Sequence, residues 1–135
     1  MNKLRIKAEP FLSNILLDFN MVLGILAIIL GAFGAHALKE KLAIEALQSF
    51  ETGVRYQMFH VIVLLFINTY TGFSSQTKNW ISLMFFVAIF LFSGSIYAIT
   101  AGGIDHKSIW FITPFGGLLF IVGWILMLIS FIKKS

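Results

Sequence analysis

Residues 31–60 read GAFGAHALKEKLAIEALQSFETGVRYQMFH, and the reading of this stretch decides the fold. It opens as the tail of one apolar run and closes as the head of another. Between the two, Leu38, Leu42, Ala46, Leu47, Phe50 and Val54 recur at helical spacing. Lys39, Glu40, Lys41, Glu45, Gln48 and Glu51 take the opposite face. Such a two-faced helix suits the boundary between water and lipid, and Gly53 offers a point for the chain to turn into the bilayer. The chain therefore reads as all-α: an integral membrane four-helix bundle with an amphipathic interfacial helix between spans one and two.

Outward from this stretch the apolar runs follow in order. Upstream lies FNMVLGILAIILGAFGA (19–35), the body of a first span over about 19–37. Crossing a bilayer takes about 20 apolar residues at a rise of about 1.5 Å each, so this run borrows its flanking turns. Its basic start and Ala35-x-Ala37 also have the form of a cleavable signal peptide, but the chain beyond continues as a membrane protein. Downstream, spans are expected over about 54–73, 79–101 and 109–132. The polar runs SSQTKN (74–79) and GGIDHKS (102–108) separate them. Trp80 and Trp110 open the third and fourth spans, at headgroup level where Trp is favoured. Residues 1–18, with Lys3, Arg5, Lys7 and Pro10, read as a variable basic N-terminal extension to a membrane domain over 19–135.

Composition agrees. The apolar fraction is 59% and the charged fraction 12%, against roughly 45–50% and about 25% in soluble domains. So much apolar surface has to face lipid. The absence of cysteine removes disulfides, thiolate metal sites and Cys nucleophiles. The net charge of +4 sits at the ends of apolar runs, which is a topology and headgroup signal and makes no nucleic-acid patch.

Four spans put both termini on one side. That side carries Lys3, Arg5, Lys7, Lys78, Lys133 and Lys134; the other carries Lys39, Lys41, Arg55 and Lys107. Six against four places the termini in the cytoplasm. Ala27, Gly31 and Ala35 in span one, and Gly94, Ala98 and Gly102 in span three, repeat at every fourth position. Small residues so spaced mark close helix packing in lipid.

The same topology gathers polar residues at the face opposite the termini: His36, Arg55, Tyr56, Gln57, His60, Ser93, Tyr97 and Thr113. Glu51 and Arg55 stand at ion-pair spacing on a helix. His60 lies one turn and more below Arg55, where an ionisable group calls for an inward-facing partner; His36 and Tyr97 are in reach. The plain reading of the histidines is hydrogen-bonded contact between helices. The sharper one is a proton- or ligand-responsive site. No HExxH and no paired ligand spacing supports a metal, and no metal or cofactor is expected. Thr113-Pro114 suits the first turn of span four, where proline costs little hydrogen bonding.

GAFGAHALK, F-x-T-G-V-R-Y-Q-M-F-H, FSGSIYAI and ITPFGGLLFIVGWILM, in this order over about residues 24–130, resemble the successive blocks of domain-of-unknown-function family 423. The eukaryotic transmembrane protein 256 is similar. Matching motif positions include Gly31, His36, Gly53, Tyr56, Gln57, His60, Ser93, Tyr97, Thr113, Gly116 and Trp124, while Ala37 stands where the family commonly has glycine. The resemblance implies a bacterial-type inner or plasma membrane protein of about four helices, and it carries over no catalytic residue.

The expected function is accordingly that of a multi-pass membrane protein, structural or accessory, with a polar cluster at its non-cytoplasmic face. The alternative is a small transporter or a solute- or lipid-binding protein using His36, His60 and Tyr97. Expected partners are the lipid bilayer and a second copy or a larger membrane complex. No nucleophile–base pair stands out, so no enzyme is expected.

Overall fold

The computed structural model describes the backbone of residues 2–134 and the side chains of residues 14–134. The side chains of Lys3, Arg5 and Lys7 in the expected extension lie outside the described residues; the backbone there is already helical. Helix α1 runs over Asn2–Phe33 and continues into a widened π-helical turn, Gly34–Leu38. Helix α2 spans Ile44–Thr69, α3 Ser75–Thr100, the single turn α4 His106–Ile109, and α5 Ile112–Lys134. Four stretches have the length and hydropathy to cross a membrane: Asn14–Leu38, Ile44–Thr69, Ser75–Thr100 and Ile112–Lys134.

The boundaries have local causes. Ser74 caps α3, its Oγ accepting the Thr77 N–H at 3.2 Å. Asp105 caps α4 through the Lys107 N–H at 3.1 Å. Such side-chain oxygens satisfy amides that no helical carbonyl reaches. After α3 the chain reverses at Gly103, whose φ of 71° suits glycine, and the Ile104 N–H returns to the Ala98 carbonyl at 3.1 Å. Pro114 stands in the first turn of α5, as expected.

One expectation is corrected here. No separate interfacial helix lies between the first two spans. A short turn over 39–43 leads straight into α2, which runs unbroken through Gly53. The amphipathic pattern of residues 44–53 belongs to the first turns of a spanning helix. Gly53 lies inside this helix and does not interrupt it. It is buried against α3, where a Cβ would come to 3.0 Å from the Tyr97 ring and 3.2 Å from Ile96.

The helices pack antiparallel in the spatial order α1–α2–α3–α5, with α3 in contact with both α2 and α5. The inner pair is more enclosed: 39% of the α2 and α3 membrane windows is buried, against 17% for α1 and α5. The outer helices therefore give most of their apolar surface to lipid. The core is aromatic and aliphatic, with Leu64, Ile67 and Phe85 fully buried and Phe120 and Leu23 nearly so. Phe19 of α1 reaches α3 through Phe86 and Phe90.

The small-residue stripes fare differently. Ala27 is buried and Gly31 lies beside Val54, so the stripe on α1 meets α2, although Ala35 is exposed. On α3, Gly94 has nothing within 4 Å of a Cβ among the described residues, and Gly102 abuts its own helix at Ala98. Close approach to α3 comes instead from Gly116 of α5, where a Cβ would stand 2.8 Å from the Phe92 Cα and closer still to its backbone nitrogen.

Candidate functional site

The antiparallel register brings the polar residues of α1, α2 and α3 to the same levels. Gln57 sits at the centre, 3% exposed. Its Nε2 donates to the Leu23 carbonyl of α1 at 2.7 Å, and its Oε1 accepts from the Tyr97 hydroxyl of α3 at 2.7 Å. One amide thus ties three helices. Beside it the Ser93 hydroxyl donates to the Gly53 carbonyl at 2.6 Å, and Tyr97 packs against Phe50. Ser95 and Thr113 share a short hydroxyl–hydroxyl bond that joins α3 to α5.

His60, three positions on, is turned towards α5. Its ring stacks on Phe120 with centroids 3.9 Å apart. Nδ1 lies 2.7 Å from the Tyr56 carbonyl, and Nε2 receives the Trp124 indole N–H at 3.1 Å. An indole nitrogen donates only, so Nε2 holds the lone pair and the ring proton sits on Nδ1. Both nitrogens are occupied. The partner of His60 is therefore Trp124, and neither His36 nor Tyr97, the two residues the sequence put in reach.

The expected cluster therefore divides. Gln57, Ser93 and Tyr97 form one connected group and Thr113 lies close by through Ser95. His60 and Tyr56 belong to an aromatic groove between α2 and α5 that also holds Phe92 and Trp124. His36 and Arg55 are exposed and join neither. Arg55 makes no ion pair with Glu51 among the described residues. His36 is turned away because Gly34, two positions earlier, faces Phe50, and two residues on in this widened turn lies roughly the opposite face. No group of three His, Asp or Glu side chains converges among the described residues.

Two polar contacts escaped the sequence reading. Asn20 of α1 is fully buried, its Nδ2 donating to the Val61 carbonyl at 2.9 Å, while its Oδ1 has no partner. Asn68 of α2 donates to Ser82 of α3 at 3.0 Å. Asn20 shares a face with Leu23 and Ala27, the buried residues of α1, and that helical spacing was the available signal. For Trp124 the signal was its place near the middle of an apolar span, away from the boundary where Trp is favoured.

Above this network, at the face opposite the termini, a cavity of about 360 Å³ opens between α2, α3 and α5. Ser49, Thr52, Thr100, His106 and Thr113 supply its polar lining. The Thr52 and Thr100 hydroxyls donate to their own helices, to Gln48 at 2.9 Å and Ile96 at 2.7 Å, which leaves oxygen lone pairs towards the cavity.

Four apolar helices held by buried polar contacts define a multi-pass helical membrane protein. Residues 30–117 match the family described as protein of unknown function (DUF423). The chain is 42% identical over 103 residues to a UPF0382 membrane protein of Staphylococcus aureus (strain bovine RF122 / ET3-1), covering 76% of this chain and 83% of that one. To the UPF0382 inner membrane protein YgdD of Escherichia coli (strain K12) it is 33% identical over 129 residues, covering 90% and 92%. The chain belongs to this family of membrane proteins. No solved structure matches it.

Proposed function

We propose that this protein is a structural or accessory component of the cell membrane, with no catalytic activity of its own, whose buried polar side chains set the register of its helices. The observation that carries this reading is the state of His60. Its two ring nitrogens are both engaged in contacts within the bundle, so it has neither lone pair nor proton to offer a solute unless a contact between helices breaks. Gln57, Tyr97 and Ser93 are likewise committed to one another and to backbone carbonyls. The lipid-facing sides of α1 and α5 leave room for a second copy or a larger membrane complex. The distribution of Lys and Arg supports cytoplasmic termini.

The second reading, a small transporter or solute-binding protein, is favoured by the hydroxyl-lined cavity at the opposite face. Reconstitution into liposomes separates the two. The purified chain is expected to conduct neither protons nor small polar solutes. A flux that is present in the wild type and lost in Thr113→Val or His60→Ala overturns the accessory reading.

A further inference from the structure

At the terminal end of the bundle, far from the polar network, a cleft of about 560 Å³ opens between the start of α3 and the end of α5. We propose that it binds the phosphodiester headgroup of an anionic phospholipid, with an acyl chain lying against α5. The cleft combines cationic, hydroxyl and apolar groups in the order a lipid presents its own. Lys133 and Lys134 close the apolar helix α5 and supply ammonium groups. Among the described residues no carboxylate lines the cleft. Lys134 is held over the mouth by Tyr70, whose hydroxyl it meets and whose ring centre lies 4.5 Å from its Nζ. Lys133 makes no bond within the chain among the described residues.

Across the cleft Ser74 and Thr77 supply hydroxyls. Ser74 donates its proton to Thr77 Oγ1 at 2.9 Å, so Thr77 keeps its own proton free for an external acceptor. The first turn of α3 adds the partial positive charge of a helix start. Below these groups Ile81, Leu126 and Ile129 continue the wall into the apolar depth of the membrane. Trp80, exposed at the rim, marks the headgroup level. A free phosphate would satisfy only the upper half of this surface. The apolar lower half and its position at the boundary select the lipid.

The test is native mass spectrometry of the full chain from a mild neutral detergent, with phosphatidylglycerol or phosphatidylcholine added at equal concentration. The wild type is expected to retain phosphatidylglycerol in preference to phosphatidylcholine. Each lysine near a membrane surface contributes about 1 kcal/mol towards an anionic lipid, or about fivefold in affinity. Lys133→Gln should therefore weaken phosphatidylglycerol about fivefold, and Lys133→Gln with Lys134→Gln about thirtyfold. Lys39→Gln with Lys41→Gln, at the opposite face, should leave the preference unchanged. Lys133→Gln removes no hydrogen bond or ion pair among the described residues, so it keeps the test independent of folding. Equal retention of the two lipids overturns the proposal, as does a preference that survives loss of both lysines or falls equally with Lys39 and Lys41. Displacement of phosphatidylglycerol by millimolar inorganic phosphate would instead assign the cleft to the free ion and also overturn it.

Discussion

Trp124 donates its indole N–H to Nε2 of His60 across 3.1 Å, joining two helices through residues 64 positions apart in sequence. The bond fixes His60 in the tautomer with its proton on Nδ1, and that proton meets the Tyr56 carbonyl one turn back on the same helix. An aromatic stack on Phe120 closes the remaining side. His60 is thereby a three-way contact between α2 and α5.

Trp124→Phe keeps the aromatic packing and deletes the donor. Nε2 of His60 is then left buried without a partner, a loss of about 1 kcal/mol in a membrane helix pair. The double variant Trp124→Phe with His60→Phe removes both polar partners and should regain part of that loss. Unfolding in a mild detergent titrated with SDS reads both values. Equal stability of Trp124→Phe and the wild type would show that the indole bond contributes nothing.

Gln57 and Asn20 are both buried amides, yet they differ in what they satisfy. Gln57 uses Nε2 and Oε1 on two other helices. Asn20 uses only its nitrogen and leaves Oδ1 bare. Gln57→Leu should cost about 1–2 kcal/mol, and a double-mutant cycle with Tyr97→Phe should give a coupling near 1 kcal/mol. Asn20→Leu loses one bond but relieves an unsatisfied carbonyl, so it should stay within about 0.5 kcal/mol of the wild type. The same SDS titration ranks the variants; Asn20→Leu falling below Gln57→Leu reverses the argument.

The apolar runs and their polar separators made the four spans legible, because hydropathy over a membrane thickness is a property of the sequence alone. Level across the membrane was legible too, since antiparallel spans of similar length bring Gln57 and Tyr97 to one depth. Rotation of one helix against another was not. His60 faces α5 and Gln57 faces α1 and α3, although they stand three positions apart on one helix, and nothing local to α5 says that Trp124 points back at α2. The amphipathic stretch after Leu38 misled for a related reason. A helix lying flat on the membrane and the emerging end of an upright one show the same two faces. Packing of Gly53 against Tyr97 decides between them, and that contact spans 44 positions.

Gly116 and Gly94 make opposite demands. A Cβ at Gly116 meets the backbone of α3 at Phe92, which has no side chain to swing aside. Gly116→Ala should destabilise by about 1–3 kcal/mol. Gly94 meets nothing within 4 Å, and alanine there favours the helix by about 0.5–1 kcal/mol. Gly94→Ala should therefore be neutral or stabilising in the monomer. A strong loss at Gly94, accompanied by a change in subunit number, would place a second copy of the chain on that face of α3.

The face on which each loop emerges is open to direct reading, because the chain has no cysteine and each introduced thiol reports alone. His36 and His106 are exposed at the end of the bundle that carries the 39–43 turn and the start of α5. Gln76, also exposed, lies at the other end beside the α2–α3 turn. His36→Cys and His106→Cys should both react with a membrane-impermeant maleimide added to intact cells. Gln76→Cys should react only after the membrane is opened, since six of the ten Lys and Arg residues share its side. Reaction of Gln76→Cys alone would invert the orientation while keeping the fold. Labelling of His36→Cys and His106→Cys from different sides would be incompatible with the antiparallel packing of α1, α2, α3 and α5, because the Gln57 bonds to Leu23 and Tyr97 require those two ends to stand together.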